Sequence, residues 1–312
     1  MHIPDGVLET KTWLASWAGS AGMLAYAARH VRRGVEDGRL VLMSVLAALL
    51  FALQMLNFPV AGGTSGHFAG GAVAAIVLGP WPAVLVMSTV LVIQAFVFAD
   101  GGVAALGANI WNLGVVAPFV GWWVFAAFAR LGRGRASRVT GAFVAAWLAT
   151  VAAALAAGIE IWASGRAPFA LVMGSMGFWH ALIGIGEGAV TAGLVGYLLA
   201  VRPDLLAAEA ASSEPVSRRA LAGFAAAALA AAGVSFLASS RPDGLEHVAE
   251  RIGFLPPKGV PTSFAGSPIP DYVVPGVANE TLAGILAGVV GLVVAGLVGH
   301  ALVKAARLRR AS

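Results

Sequence analysis

The first two residues of the chain, Met1 and His2, carry the donors of a candidate metal chelate. A free α-amine, the backbone nitrogen of residue 2 and the His2 imidazole can close fused rings on one metal ion, with three nitrogens nearly in a plane. Tetragonal nitrogen sites of this kind favour Ni(II) or Cu(II). The turn signal Pro4-Asp5-Gly6 could fold the terminus back onto the protein. The alternative is that His2 is an ordinary residue of a disordered tail.

A chelate that uses the α-amine requires Met1 to be the first residue of the mature protein. A cleaved secretory signal has a basic segment followed by an apolar one. Here the first apolar run begins only near Thr12, after Pro4 and Asp5, and the bulk of His2 favours retention of the initiator methionine. We therefore expect the mature chain to start at Met1.

His67 is the candidate for a fourth nitrogen donor. It follows the Gly-rich stretch Ala61–Gly66, and we expect it to open a short helix. If this region lies at membrane depth, irregular backbone is tolerated there only where it lines a cavity or is covered by protein, and an ionisable side chain is a functional candidate. The alternative is a histidine whose hydrogen bonds are satisfied by a neighbouring carbonyl.

Three further polar residues, Asn109, His180 and Glu187, lie in apolar segments. His180 and Glu187 are seven residues apart, which places them on one face of a helix, two turns apart. They could orient a metal-binding histidine through hydrogen bonds, or they could form a structural polar pair. Asn109 could do the same, although amides in apolar helices more often bond neighbouring helices. The chain has no cysteine, so a metal site must use nitrogen and oxygen donors.

An enzymatic interpretation has weaker support. Gly63-Thr64-Ser65-Gly66, with His180 on a distant helix, superficially resembles the Ser/His dyad of rhomboid intramembrane proteases. Such a short string means little in a chain with 40 glycines. No His-Glu-x-x-His zinc motif and no Walker A motif occurs. We therefore expect no catalytic activity and no ability to power transport alone.

The composition is typical of a protein embedded in a lipid bilayer. Apolar residues make up 59% of the 312 residues, and only 11% are charged, against about 25% in soluble domains. Basic residues fall in short blocks between apolar runs, which indicates membrane topology and argues against nucleic acid as a partner.

The hydropathy pattern predicts an all-α integral membrane protein with nine spans. These cover residues 12–30, 39–57, 66–79, 82–99, 105–129, 139–162, 174–201, 219–239 and 280–303. A polar linker at 202–218 separates a seven-helix unit (1–201) from a two-helix unit (219–312) with an external loop at 240–279. Eight or ten spans would also be compatible with the pattern.

The distribution of basic residues predicts the orientation. With the N-terminus outside, the inner loops and the C-terminal tail contain 15 of the 20 Lys and Arg residues. The positive-inside rule then places the N-terminus outside and the C-terminus in the cytoplasm.

Four segments together resemble the NikM/CbiM substrate-specific components of energy-coupling factor (ECF) transporters. They are Met1–Gly6, Gly63–His67, Leu106–Ile110 and His180–Gly188. The segment from about 215 to 305, with Arg241-Pro242-Asp243-Gly244-Leu245-Glu246, resembles the NikN/CbiN partner and its PDGLE motif. The chain is therefore similar to a fusion of the two.

The resemblance implies a seven-helix S-component bundle that binds the transported metal from outside through Met1, His2 and His67. It implies three partners, a transmembrane coupling protein and two ATPase subunits, in a bacterial cytoplasmic (inner) membrane. Met-His-Ile-Pro-Asp-Gly is more similar to nickel members than to cobalt members, so Ni(II) is the favoured substrate. The alternative is Co(II), which would supply cobalamin biosynthesis.

The PDGLE unit of this family is implied to help metal loading, for example by keeping the N-terminal segment mobile. Asp243, Glu246 and His247 could form a weak collecting site for metal. We expect them instead to be solvated residues of a long loop.

Overall fold

The computed structural model describes residues 1–34, 37–132, 134–207, 218–233, 239, 241–255 and 266–311. Most of these residues are helical. The helices are α1 (Thr10–Gly34), α2 (Asp37–Gln54), α3 (Gly71–Leu78), α4 (Pro80–Val97), α5 (Leu106–Asn109), α6 (Ala117–Leu131), α7 (Arg135–Ala163), α8 (Phe169–Val201), α9 (Arg218–Gly233), α10 (Gly244–Ile252) and α11 (Glu280–Ala311). Two short strands, β1 (Asn57–Pro59) and β2 (Ser65–His67), form an antiparallel pair.

Five helical segments of the described chain are long and apolar enough to cross a membrane. They are Pro80–Val97, Leu106–Leu131, Arg135–Ala163, Phe169–Val201 and Glu280–Ala301. Each of the nine predicted spans contains a helix, but α9 and the apolar part of α2 are shorter than a full span. Gly, Ser and Trp residues lower the hydropathy of α1. The structure therefore confirms a multi-pass, mostly helical membrane protein without fixing the number of spans at nine.

The third predicted span, 66–79, was wrong in its first five residues, and His67 does not open a helix. Residues 65–67 form strand β2, in which His67 pairs with Asn57, and the helix begins only at Gly71. Gly70, the residue directly before the helix, has φ +77°, a left-handed conformation that favours glycine. Helix α3 has eight residues, all buried. At 1.5 Å per residue it is about 12 Å long, too short to cross a bilayer.

A π-helical segment, Ile110–Val116, joins α5 to α6 within one continuous helix. Such segments are rare and occur often at functional sites. Two buried amides, Asn109 and Asn112, lie at its beginning. The widened helical turn therefore begins where polar side chains enter the interior.

The C-terminal unit packs against the rest of the chain through helices α9, α10 and α11. Helices α9 and α11 contact α2, whereas α10 contacts α8. Helix α10 lies inside the region predicted as an external loop, so that expectation was incomplete. It starts with a capping box: the Asp243 side chain accepts from main-chain N–H groups, and the Glu246 side chain accepts from the Asp243 N–H. This box arises directly from the D-G-L-E sequence.

Candidate metal centre

The N-terminal segment is inserted into the protein. The Ile3 side chain is fully buried, and Met1 is only 6% exposed. The Ile3 N–H donates to Asn109 Oδ1 at 2.8 Å, and Asn109 Nδ2 donates to the Ile3 carbonyl at 3.1 Å. This paired contact shows that Asn109 bonds the main chain of the N-terminal segment. A supporting role for Asn109 at the metal site, as the sequence suggests, stays a prediction.

Asp5 is a second anchor of the terminus, although its sequence context predicts only a turn. Its carboxylate accepts from the N–H groups of Val103, Ala104 and Ala105. A Cβ on Gly102 would collide with Asp5 Oδ1, so only glycine fits there. The N-terminal segment is therefore held on the loop before α5 as well as by Asn109.

The candidate donors meet at the buried end of this segment. The Met1 amine lies 2.8 Å from His67 Nε2 and 3.0 Å from His67 Nδ1. The His2 and His67 rings stack with centroids 5.2 Å apart and planes inclined by 14°. Two nitrogens that bind one metal ion at right angles, each about 2.0 Å away, would be separated by about 2.8 Å. The amine and His67 already have this separation.

The two ring nitrogens of His2 have different surroundings, and Nδ1 is the one that can close a chelate ring with the main-chain nitrogen of the same residue. Its Nδ1 lies 3.2 Å from Asp100 Oδ1, whereas the buried Nε2 has no hydrogen-bond partner among the described residues. Burial alone would raise the pKa of the Asp100 carboxyl, but the nearby His2 lowers it below the ordinary value. No group of three or more His, Asp or Glu side chains in the described ranges is arranged to hold a metal. The candidate donor set instead combines histidine side chains with main-chain nitrogen.

Asp243 of the PDGLE turn lies in this centre. Its Oδ2 is 2.5 Å from the Met1 amine and 3.5 Å from His67 Nδ1, and its side chain is 15% exposed. Burial alone would raise the pKa of this carboxyl, but the Met1 ammonium lowers it to about 2. The expectation of a solvated loop residue was therefore wrong for Asp243, because β2 and the N-terminus cover it.

Glu246 and His247 do not join Asp243 in a collecting site. The Glu246 carboxylate accepts from the Asp243 main chain at 3.0 Å. The His247 ring packs edge-on against Trp179, with centroids 4.5 Å apart. The three side chains therefore face different partners.

Glu187 and His180 lie beneath β2 and have separate partners. The two Glu187 oxygens accept from the N–H groups of Ala69 and Gly70, each at 2.8 Å. His180 Nδ1 contacts the Met176 carbonyl at 2.9 Å. Glu187 thus fixes the backbone between His67 and α3, and it acts on the ligand candidate through the main chain.

Ser65 and His180 do not form a protease-like dyad. The Ser65 hydroxyl donates to the Arg241 carbonyl at 2.8 Å. His180 Nε2, by contrast, has no hydrogen-bond partner in the part of the chain that the structure describes. Ser65 therefore joins β2 to the PDGLE turn.

A large cavity leads to the centre from one side. Its volume is about 790 Å³, and its lining includes His2, His67, Asp100 and Asp243. The Asp100 carboxylate of this lining would attract a cation before it reaches the nitrogen donors. The cavity is therefore suited to admit a hydrated metal ion.

Replacing Asn109 by Ala should loosen the N-terminal segment. The change removes both hydrogen bonds to Ile3 in a buried place, and we expect metal affinity to fall on the order of tenfold, since each bond contributes about 1 kcal/mol. Hydrogen exchange of the Ile3 amide should accelerate at the same time. Unchanged exchange would contradict the anchoring role.

Comparisons with known proteins identify the family to which the chain belongs. Residues 2–205 match the CbiM family, described as the cobalt uptake substrate-specific transmembrane region, and residues 217–308 match the PDGLE domain. A protein of Archaeoglobus fulgidus, provisionally named a fused nickel transport protein NikMN, is 40% identical over 98% of this chain and 99% of its own length. The fused nickel transport protein NikMN of Rhodobacter capsulatus is 35% identical over 95% and 96%.

A solved structure and a cobalt relative extend the comparison. The cobalt transport protein CbiM of Geobacter sulfurreducens is 36% identical over 66% of this chain and 62% of its own length. The crystal structure of a truncated transition metal transporter matches with a TM-score of 0.58 and 32% identity, over 64% of this chain and 99% of that one. The chain is a multi-pass membrane component for nickel or cobalt transport and belongs to the CbiM family, with a PDGLE domain fused at its C-terminal end.

Proposed function

We propose that this chain is the substrate-binding membrane subunit of an ECF-type importer, with Ni(II) as its favoured substrate. Met1, His2 and His67 would supply the nitrogen donors. The observation that carries the proposal is the 2.8 Å separation between the Met1 amine and His67 Nε2, which suits two adjacent ligands of one ion.

Nickel is favoured over cobalt by the donor set. A terminal amine, a backbone nitrogen and imidazoles would give a tetragonal nitrogen site, which suits Ni(II) better than Co(II). Two fused relatives are named for nickel transport, whereas others are named for cobalt. Co(II) uptake for cobalamin synthesis is the alternative.

The subunit would work with partners, because its sequence has no Walker A motif. A transmembrane coupling protein and two ATPase subunits would supply the energy. We place the subunit in the bacterial inner membrane with the N-terminus outside and the C-terminus in the cytoplasm, and we divide the chain at the linker 202–218. Metal would then enter from outside.

Elemental analysis of the purified full chain tests the proposal. We expect about one nickel or cobalt per chain, and energised uptake by vesicles that also contain the coupling protein and ATPases. Binding without uptake would indicate a metal sensor. A chain that binds neither metal would contradict the proposed function.

A further inference from the structure

The two carboxylate oxygens of Asp243 make different contacts. Oδ1 accepts from the N–H groups of Leu245 and Glu246, at 2.8 and 2.9 Å, and so caps α10. Oδ2 faces the opposite way, 2.5 Å from the Met1 amine and 3.5 Å from His67 Nδ1. One oxygen is therefore fixed by the helix while the other contacts two candidate metal donors.

The main chain around Asp243 is fixed on the strand that carries His67. The Ser65 N–H donates to the Pro242 carbonyl at 2.9 Å, next to the hydroxyl bond to Arg241. Asp243 and Ser65 form a parallel β-bridge. These contacts therefore join the PDGLE turn to β2 and fix the position of the carboxylate relative to His67.

Gly244 allows this close approach. A Cβ at this position would lie 2.5 Å from Ile183 Cδ1 and 2.9 Å from His180 Nε2, both on α8. Such contacts are too short to exist without a shift. The glycine therefore seats the turn directly on α8, at the level of the candidate donors.

We propose that Asp243 is a positioning residue of the metal site, which holds the Met1 amine against His67 before metal arrives. This inference rests on the proposed function. A free chain terminus has many conformations, and ordering it costs free energy that an ordered donor set avoids. Hydrogen-bonded partners that orient metal ligands typically change metal affinity by about 10–100-fold.

The substitution Asp243→Ser removes the contact with the Met1 amine while it keeps a cap on α10. Serine is a good N-cap, so α10 keeps its start, but its short side chain cannot reach the amine. Glu246→Gln is the matched control, because it alters the capping box and leaves the Asp243 contacts to Met1 and His67 in place. In titrations of the full chain with Ni(II), we expect about 10–100-fold weaker binding for Asp243→Ser and wild-type binding for Glu246→Gln.

A second readout needs no metal. A small acylating reagent should modify the Met1 α-amine slowly in the metal-free wild type, because Asp243 and His67 enclose it. We expect the rate to rise severalfold in Asp243→Ser and to stay unchanged in Glu246→Gln, with Lys11 as the internal reference in the mass spectrum.

The outcomes are distinguishable. If Asp243→Ser kept wild-type metal affinity and wild-type reactivity of the amine, the positioning role would be overturned. It would also be overturned if Glu246→Gln lost as much affinity as Asp243→Ser, because metal binding would then require only an intact α10. A wild-type chain that binds no metal yet protects its amine would contradict the proposed function while supporting the contact.

Discussion

Adding two residues before Met1 is expected to abolish tight metal binding. The extension converts the primary amine to a peptide amide, which binds a metal only after it loses its proton. It also requires space where Asp243 and His67 now enclose the amine. The binding free energy of a metal ion held by four protein ligands is about 10–16 kcal/mol in small zinc domains. Loss of one ligand with its chelate ring removes a share of this free energy, so binding should weaken on the order of 1000-fold. The loss of binding is measured by the metal-to-protein ratio and by the visible ligand-field bands.

The control adds the same two residues after Ser312, the last residue of the chain. That variant should bind metal as the wild type does. Equal metal content in both extended proteins would show that the amine is not a ligand. A site built on His180 and Glu187, both buried near β2, would then be the first to test.

Replacing Glu187 by Gln is expected to destabilise the support of His67. Both Glu187 oxygens accept from main-chain N–H groups at the β2–α3 junction. The side-chain amide of Gln would place an N–H donor against one of these main-chain N–H groups. A buried polar group without a partner lowers the free energy of unfolding by about 1–3 kcal/mol, and by more when the lost partner is charged. We expect a lower thermal transition in detergent and at least roughly tenfold weaker Ni(II) binding, since His67 loses its fixed backbone.

Glu160→Gln provides the matched comparison. Glu160 is also a buried membrane carboxylate, but its oxygens bind the side chains of Ser16 and Asn112, away from β2. We expect this variant to keep its metal affinity even if its thermal transition falls. A similar loss of affinity in both variants would mean that Glu187 acts through general stability alone.

The candidate metal donors could be proposed from the sequence because their chemistry is local. Met1 and His2 are neighbours, so their chelate depends on no fold, and His67 and Asn109 are polar residues in apolar surroundings. The structure places the amine next to His67, while ligation itself stays a prediction. The helical character of the chain was also predictable, because apolar runs of this length must pair their backbone groups internally.

The supporting contacts were not predictable from local patterns. Strand β2 is too short for its alternation to be recognised, and the start of α3 depends on the left-handed Gly70. Glu187 accepts hydrogen bonds from main-chain groups more than 100 residues away in the sequence, and no side-chain motif predicts such a contact. Asp243 has the sequence of an ordinary helix cap, and its second oxygen acquires its role only through the docking of the PDGLE turn on Ser65.

The bond between Ser65 and the PDGLE turn joins two parts of a single polypeptide. In a two-chain arrangement, the same contact would depend on how much of each chain the cell makes. A covalent tether of suitable length replaces that dependence with an effective concentration on the order of millimolar. Every copy of the fused chain therefore carries its own Asp243, and the contact between Asp243 and the Met1 amine does not depend on the relative amounts of two chains.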